Sequence, residues 1–165
     1  MDKAFARHNI APVYDENSKV LILGSFPSVK SREAAFFYAH PQNRFWRVLS
    51  AVLNEPLPVS VEEKRAMLLR HGIALWDVIG SCRIVGSADA SIEQVQPNDL
   101  TKILAAANIR AVFCNGTAAG KYFAAFQQPA HGREAVVLPS TSAANARCKL
   151  EDLTAVWCRA LTPFL

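Results

Sequence analysis

The feature that most restricts the fold of this chain is a rhythm, in which short apolar runs are separated by longer amphipathic stretches. Val20-Leu21-Ile22-Leu23, the stretch Ile73 to Ile79, the stretch Arg110 to Cys114, and Ala135-Val136-Val137-Leu138 read as strands. Between the first two, Phe45, Val48, Leu49, Val52 and Leu53 recur at helical spacing, which predicts a helix over about 43–54. Ser60-Val61-Glu62-Glu63 is a capping box opening a second helix, and His71-Gly72 closes it. Asn98-Asp99 caps a helix to about residue 107, and Thr117 opens the next. A last helix carries Leu150, Leu153, Val156, Trp157 and Leu161 on one face. Strands that alternate with amphipathic helices predict a parallel sheet covered on both faces. Residues 1–18 are expected to form an irregular arm or short helix. Gly80 to Pro97, polar and rich in Gly and Ser, is expected to be a long functional loop.

A chain of 165 residues with 51% hydrophobic content can bury one sizeable core, so a single domain over 1–165 is expected. The net charge of +4 permits a polyanionic partner without requiring one. No apolar run is long enough for a membrane span, and the opening Met1-Asp2-Lys3-Ala4-Phe5 lacks a signal pattern, so a cytoplasmic protein is expected. Cys82, Cys114, Cys148 and Cys158 include no Cys-x-x-Cys pair, which favours reduced, buried thiols over a cluster. His8, His40, His71 and His131 show no metal-ligand spacing.

Polar residues gather where the strands end: Pro27-Ser28, Asp77, Asn115-Gly116 and Pro139-Ser140. In a parallel sheet these ends share one edge, where ligands usually bind. Proline stiffens each of the two Pro-Ser turns, and serine hydroxyls with free backbone N–H groups can grip phosphate oxygens. The loop from Gly24 to Trp46 adds aromatics, cations and the amide of Asn43, a mix suited to an anionic polymer with flat bases.

Gly24-Ser25-Phe26-Pro27-Ser28, the stretch Tyr38 to Trp46, His71 to Val78, Asn115-Gly116 and Leu138 to Ala146 together resemble the uracil-DNA glycosylase superfamily, and within it the hypoxanthine-DNA (deoxyinosine) glycosylase branch. The resemblance covers about residues 20–160. It implies a three-layer α/β/α sandwich with a short, mainly parallel central sheet. It also implies an enzyme, without metal or cofactor, that flips a deaminated base from double-stranded DNA and hydrolyses its N-glycosidic bond; a monomer is expected. Two positions depart from better-known relatives. Phe26 stands where many have an Asp or Asn to position water, and Leu138 stands where many have a His to stabilise the departing base.

The resemblance offers Asn43 as the catalytic group instead, orienting water and setting its carbonyl dipole near the developing oxocarbenium charge. Asn43 also stands where a helix N-cap would be, and the two roles can coexist. Asp77 occupies a position where relatives read the base edge. A carboxylate there would accept from N1–H of hypoxanthine, whereas N1 of adenine is only an acceptor; a buried structural acid is the alternative. Phe26, Tyr38 and Asn115 complete the expected base-binding set. Ser28, Ser31, Ser140, Ser142 and Asn145 are expected at the DNA backbone, with Lys30, Arg32, Arg44 and Arg147 as countercharges and Arg147 as a wedge. Gly86 to Ser91 forms a pocket wall, with Asp89 as an unassigned acid.

Three other readings remain at this point. One is a broader glycosylase that also takes uracil or xanthine. Another is a non-catalytic damaged-DNA-binding module. The third is a serine hydrolase using Ser25 or Ser28 near His40, against which stands the lack of a Gly-x-Ser-x-Gly elbow.

Overall fold

The computed structural model of the protein describes residues 2–165. β1 (Ala4–Arg7) precedes β2 (Val20–Gly24), α1 (Val29–Ala34), α2 (Phe45–Leu53) and α3 (Val61–Arg70). β3 (Ile73–Asp77) follows, then β4 (Ile79–Ile84), β5 (Glu93–Pro97), α4 (Thr101–Ala106) and β6 (Ala111–Asn115). α5 (Thr117–Tyr122) passes through a π-helical turn at Phe123–Gln127 into α6 (Gln128–His131), and the chain ends with β7 (Val136–Leu138) and α7 (Leu150–Leu161).

Four strands form a parallel sheet in the order β3-β2-β6-β7, with helices against it. Successive residues of a strand point to opposite faces, and both faces here are apolar. Val20 and Ile22 of β2 join a cluster with Phe45, Leu49, Met67, Trp157 and Leu161 from α2, α3 and α7. Leu21 and Leu23, one position out of phase, join Ile103 of α4, Ala119 of α5 and Phe123 on the other side. This is the expected three-layer sandwich. On α7 the buried stripe is narrower than the spacing suggests: Leu153, Trp157 and Leu161 are fully buried, while Leu150 and Val156 reach solvent. Cys82 and Cys114 are buried, but Cys148 and Cys158 are only half-buried, and all four are free thiols.

Two sequence expectations fail together, for one reason. The amino-terminal arm forms β1, and the 80–97 segment forms β4 and β5, which join in a separate antiparallel sheet of order β1-β4-β5. The strand predicted over 73–79 breaks at Val78, where the chain leaves the parallel sheet and starts this one. Neither partner announces a strand by itself: Glu93–Pro97 is mostly exposed, and β1 is four residues long and mostly exposed too. Pairing with β4, across some 80 residues for β1 and across a hairpin for β5, makes them strands, and Cys82, Ile84 and Ile92 seat the small sheet on the main core. Beyond β1 the arm turns along β3, where Val13 and Leu75 exchange main-chain hydrogen bonds of 3.0 and 2.9 Å.

Candidate active site

The carboxyl ends of the four parallel strands open into a cleft of about 340 Å³. Its walls include Phe26, Ser28, Asn43, Asp77, Asn115 and Ser140, so most of the residues singled out from sequence meet there. Tyr38, Ser31 and Ser142 also line it, as do Ser87 and Asp89 from the small sheet's β4–β5 connection. Asn145 and Arg147 do not. Asn145 turns inward, its Nδ2–H donating to the Ser140 carbonyl at 3.0 Å, and Arg147 stands exposed on the same loop.

The two Pro-Ser turns are built differently. Ser28 is the N-cap of α1, its Oγ accepting from the Ser31 N–H at 3.1 Å. Ser31, fully buried, accepts from the Ala39 N–H at 3.1 Å, so its hydroxyl braces the following loop. The small sheet steadies this turn from outside, where Ser87 Oγ accepts from the Val29 N–H at 2.9 Å. The second turn starts no helix; Ser140 Oγ accepts from the Ser142 N–H at 3.1 Å, and one long side chain gathers most of its carbonyls. The Arg44 guanidinium donates to the carbonyls of Thr141, Ser142, Asn145 and Cys148, with 2.8 Å to Ser142. Arg44 is therefore an internal clamp rather than a countercharge for DNA. Gly116, at φ +96°, lies so close that an added Cβ would sit 3.1 Å from Ser140 Cβ.

A relay of hydrogen bonds orients the Asn43 amide, and two main-chain donors decide its direction. The Thr141 N–H donates to Asn115 Oδ1 at 3.0 Å, so Asn115 Nδ2–H is the donor to Thr141 Oγ1 at 2.9 Å. Thr141 O–H then donates to Asn43 Oδ1 at 2.9 Å, and the Phe45 N–H donates to that same oxygen at 2.9 Å. Both lone pairs of the Asn43 carbonyl are therefore taken, and its NH₂ is the end without a partner among the described residues. The N-cap of α2 is Arg44, which makes no side-chain cap bond; Asn43, expected there from sequence, stands one residue earlier and instead holds the N–H of Phe45, the first residue of α2, from inside the cleft wall. Thr141, fully buried, is the link that sequence reasoning passed over inside a run of small polar residues.

The floor of the cleft holds an unmatched pair. Asp77 is buried, with Oδ2 bonded to His8 Nε2 at 2.7 Å and Oδ1 without a donor among the described residues. The Tyr38 hydroxyl is buried and has no partner either. Both crowd the point above Gly24 where a side chain would begin: an added Cβ would lie 2.3 Å from Asp77 Oδ1 and 2.9 Å from the Tyr38 oxygen. Tyr38 reaches this place with φ +53°, an uncommon conformation for a bulky residue, its ring stacked 4.1 Å from that of Phe45. Burial, and then the Asp77 carboxylate, push the Tyr38 phenol far above its ordinary range, so it keeps its proton. Phe26 lines the wall beside them, with the Arg32 guanidinium carbon 5.2 Å from its ring centre.

Asp89 reaches in from the small sheet and accepts from Ser25 Oγ at 2.9 Å. Desolvation, with a smaller push from Asp77, raises its carboxyl above the usual range, and the Ser25 bond partly opposes that. Ser25 is thus committed to Asp89 and Ser28 to the α1 cap, and no hydrogen bond joins either to His40 among the described residues. That removes the pairing a serine hydrolase needs. Among the described residues no group of three or more His, Cys, Asp or Glu side chains could hold a metal ion, and no helix is long and apolar enough to cross a membrane.

A flat hydrogen-bonding edge at the bottom, aromatic walls, and serine-bearing turns at the rim suit a nucleotide swung out of its strand. Fold and cleft together define an α/β enzyme of the extruded-base kind. Residues 11–160 match the model of the uracil DNA glycosylase superfamily, and the chain belongs to that family. It is 33% identical over 156 residues to a hypoxanthine DNA glycosylase of Methanosarcina barkeri, covering 93% of this chain and 97% of the relative. A second hypoxanthine DNA glycosylase, from Methanosarcina acetivorans, is 37% identical over 137 residues, covering 82% and 85%. A solution NMR structure of a Methanosarcina acetivorans protein superposes with a TM-score of 0.78 at 32% identity, covering 94% of this chain and 98% of that one.

Proposed function

We propose that this protein is a monofunctional DNA glycosylase that takes hypoxanthine out of duplex DNA, working as a monomer of one domain over residues 1–165. The observation that carries the reading is the pair at the cleft floor, an acceptor at Asp77 Oδ1 beside a donor at the Tyr38 hydroxyl. Hypoxanthine presents N1–H next to C6=O, the complement of that pair. Adenine presents the opposite order, an acceptor at N1 and a donor at N6. A site built to hydrogen-bond one edge rejects the other strongly, because mismatched buried polar groups are left unpaired. Phe26 offers a ring for stacking, and base–aromatic stacking is worth about 1–3 kcal/mol against the cost of unstacking.

The orientation of Asn43 supports a catalytic role at the end opposite to the one its sequence suggests. Its carbonyl is doubly occupied, so its NH₂ is what meets the substrate. As the glycosidic bond breaks, negative charge collects on the purine, and a fixed amide donor stabilises that charge more in the transition state than in the ground state. Ser28, Ser140 and Ser142 stand at the cleft and are assigned to the DNA backbone; Arg147, exposed on the loop carrying the second turn, is assigned to phosphate contact rather than to the pocket.

The test is an excision panel on duplexes containing hypoxanthine, uracil or xanthine, read by alkaline strand scission. Hypoxanthine release should be fastest, and Asp77→Asn should lower it by roughly 100-fold, the scale of a lost charge-assisted hydrogen bond. Strong uracil release without hypoxanthine release would overturn the reading. Binding to abasic DNA with no release from any duplex would replace it with a damage-binding module.

A further inference from the structure

The family match begins at residue 11, yet a residue before that point bonds to the acid on the cleft floor. His8 follows β1, its side chain is only 3% exposed, and that of Asp77 is 5% exposed. The ring is held from both ends. The Ile10 N–H donates to His8 Nδ1 at 3.2 Å, so that nitrogen carries a lone pair and the proton sits on Nε2. Nε2–H then donates to Asp77 Oδ2 at 2.7 Å. Aromatic rings enclose the imidazole: Trp76 lies edge-on at 5.7 Å between centres, Phe26 edge-on at 6.2 Å, and Phe37 tilted at 6.3 Å. The His8 N–H donates to the Gly80 carbonyl at 2.8 Å, tying the backbone at this residue to β4. The other titratable groups near Asp77 are Tyr38 and Asp89, neither of which bonds to it.

We infer that His8 is a positioning residue for base selection: by occupying Asp77 Oδ2, it leaves Oδ1 as the one carboxylate oxygen turned toward a bound base. The small antiparallel sheet, through the arm that continues β1, thereby sets the specificity of a site carried by the parallel sheet. The inference rests on the hypoxanthine reading above for its substrate but not for its geometry. Without the His8 donor, the Asp77 carboxylate has no fixed rotation, and its contrast between N1–H and a bare N1 weakens.

The first measurement needs no substrate. Imidazole ¹⁵N NMR of the whole protein should show His8 as the neutral Nε2–H tautomer, with its proton protected from exchange, and Asp77→Asn should abolish that protection. The second compares single-turnover excision of hypoxanthine with that of unsubstituted purine, whose N1 has no proton. His8→Phe, which keeps the aromatic packing, should narrow that preference about 10-fold, the scale of one hydrogen bond to a charged group. His8→Gln, which keeps an N–H donor, should restore most of it. His8→Phe should add nothing in an Asp77→Asn background, because the two act as one unit.

An exposed or Nδ1–H imidazole would overturn the inference. So would a His8→Phe protein, folded by its melting curve, that slows both substrates equally without rescue by Gln. If the NMR result holds while no hypoxanthine is released, the substrate reading fails and the His8–Asp77 positioning stands.

Discussion

The two Pro-Ser turns share a local vocabulary, Pro27-Ser28-Val29-Lys30-Ser31 against Pro139-Ser140-Thr141-Ser142, yet they are held in different proportions by local and distant partners. The first closes most of its polar groups locally, with Ser28 capping a helix and Ser31 bracing the loop behind it, and takes added support from Ser87 of the small sheet. The second has no helix to cap and depends on Arg44, a residue almost 100 positions earlier, for its shape. What separates them is where the chain goes next. A turn that runs into a helix closes its polar groups locally, whereas one that runs into an irregular loop leaves carbonyls that a distant donor must satisfy. The functional consequence follows, because Asn43 is bonded to the dependent turn through Thr141, and Arg44 is its neighbour in the chain.

That contrast can be broken from its most sensitive point outward. Asn43→Ala should lower hypoxanthine excision at least about 100-fold, the size of a lost electrostatic contributor. Asn43→Asp sharpens the point: it keeps an oxygen for Thr141 and Phe45 but replaces the NH₂ donor with an acceptor. It should be as inactive as the alanine variant; an Asn43→Asp enzyme at or above the wild-type rate would place the role in activating water instead. Arg44→Met should cost about 2 kcal/mol in urea unfolding, since several carbonyls lose a charged donor together. Arg44→Lys should recover little, because an ammonium cannot reproduce the fork.

Thr141→Val, nearly isosteric, should remove the relay and reduce excision about 10-fold, with Thr141→Ser retaining most activity. In the first turn, Ser28→Ala should cost only about 1 kcal/mol, the value of a single cap, with smaller effects on excision.

Asp89 gives the mildest effect and a sign. Its folded-state carboxyl is raised above 3.8, so between that value and its folded midpoint the native protein binds more protons than the unfolded chain. Stability from this group is therefore present at low pH and lost as pH rises through the folded midpoint. Asp89→Asn should raise Tm slightly at pH 7, and the gain should vanish near pH 3.

Much of the parallel sheet was legible in the chain, because each buried strand is a continuous apolar run and a helix start is written in one or two residues, such as Ser60. The gathering of Phe26, Asp77, Asn115 and Ser140 was legible for a related reason: parallel strands must end on one side. The second sheet was not, since β1 is short and exposed and β5 is polar and exposed, so that only their pairing with β4 makes them strands. Nor was His8, a lone histidine 69 residues from Asp77 with no local pattern to mark it. For Asn43 the chain marked the residue, but which end of its amide is occupied depends on Thr141, 98 positions away.

By itself, the order of residues determined the strands, their shared direction and the polar groups at their ends, because hydrophobic periodicity and capping act over a few residues. Tertiary structure alone decided which atoms at those ends remain unpaired among the described residues: the NH₂ of Asn43, Oδ1 of Asp77 and the hydroxyl of Tyr38. Whether a polar atom is free depends on every neighbour that folding brings within about 3 Å, and here those neighbours, His8, Thr141 and Phe45, come from separate parts of the chain.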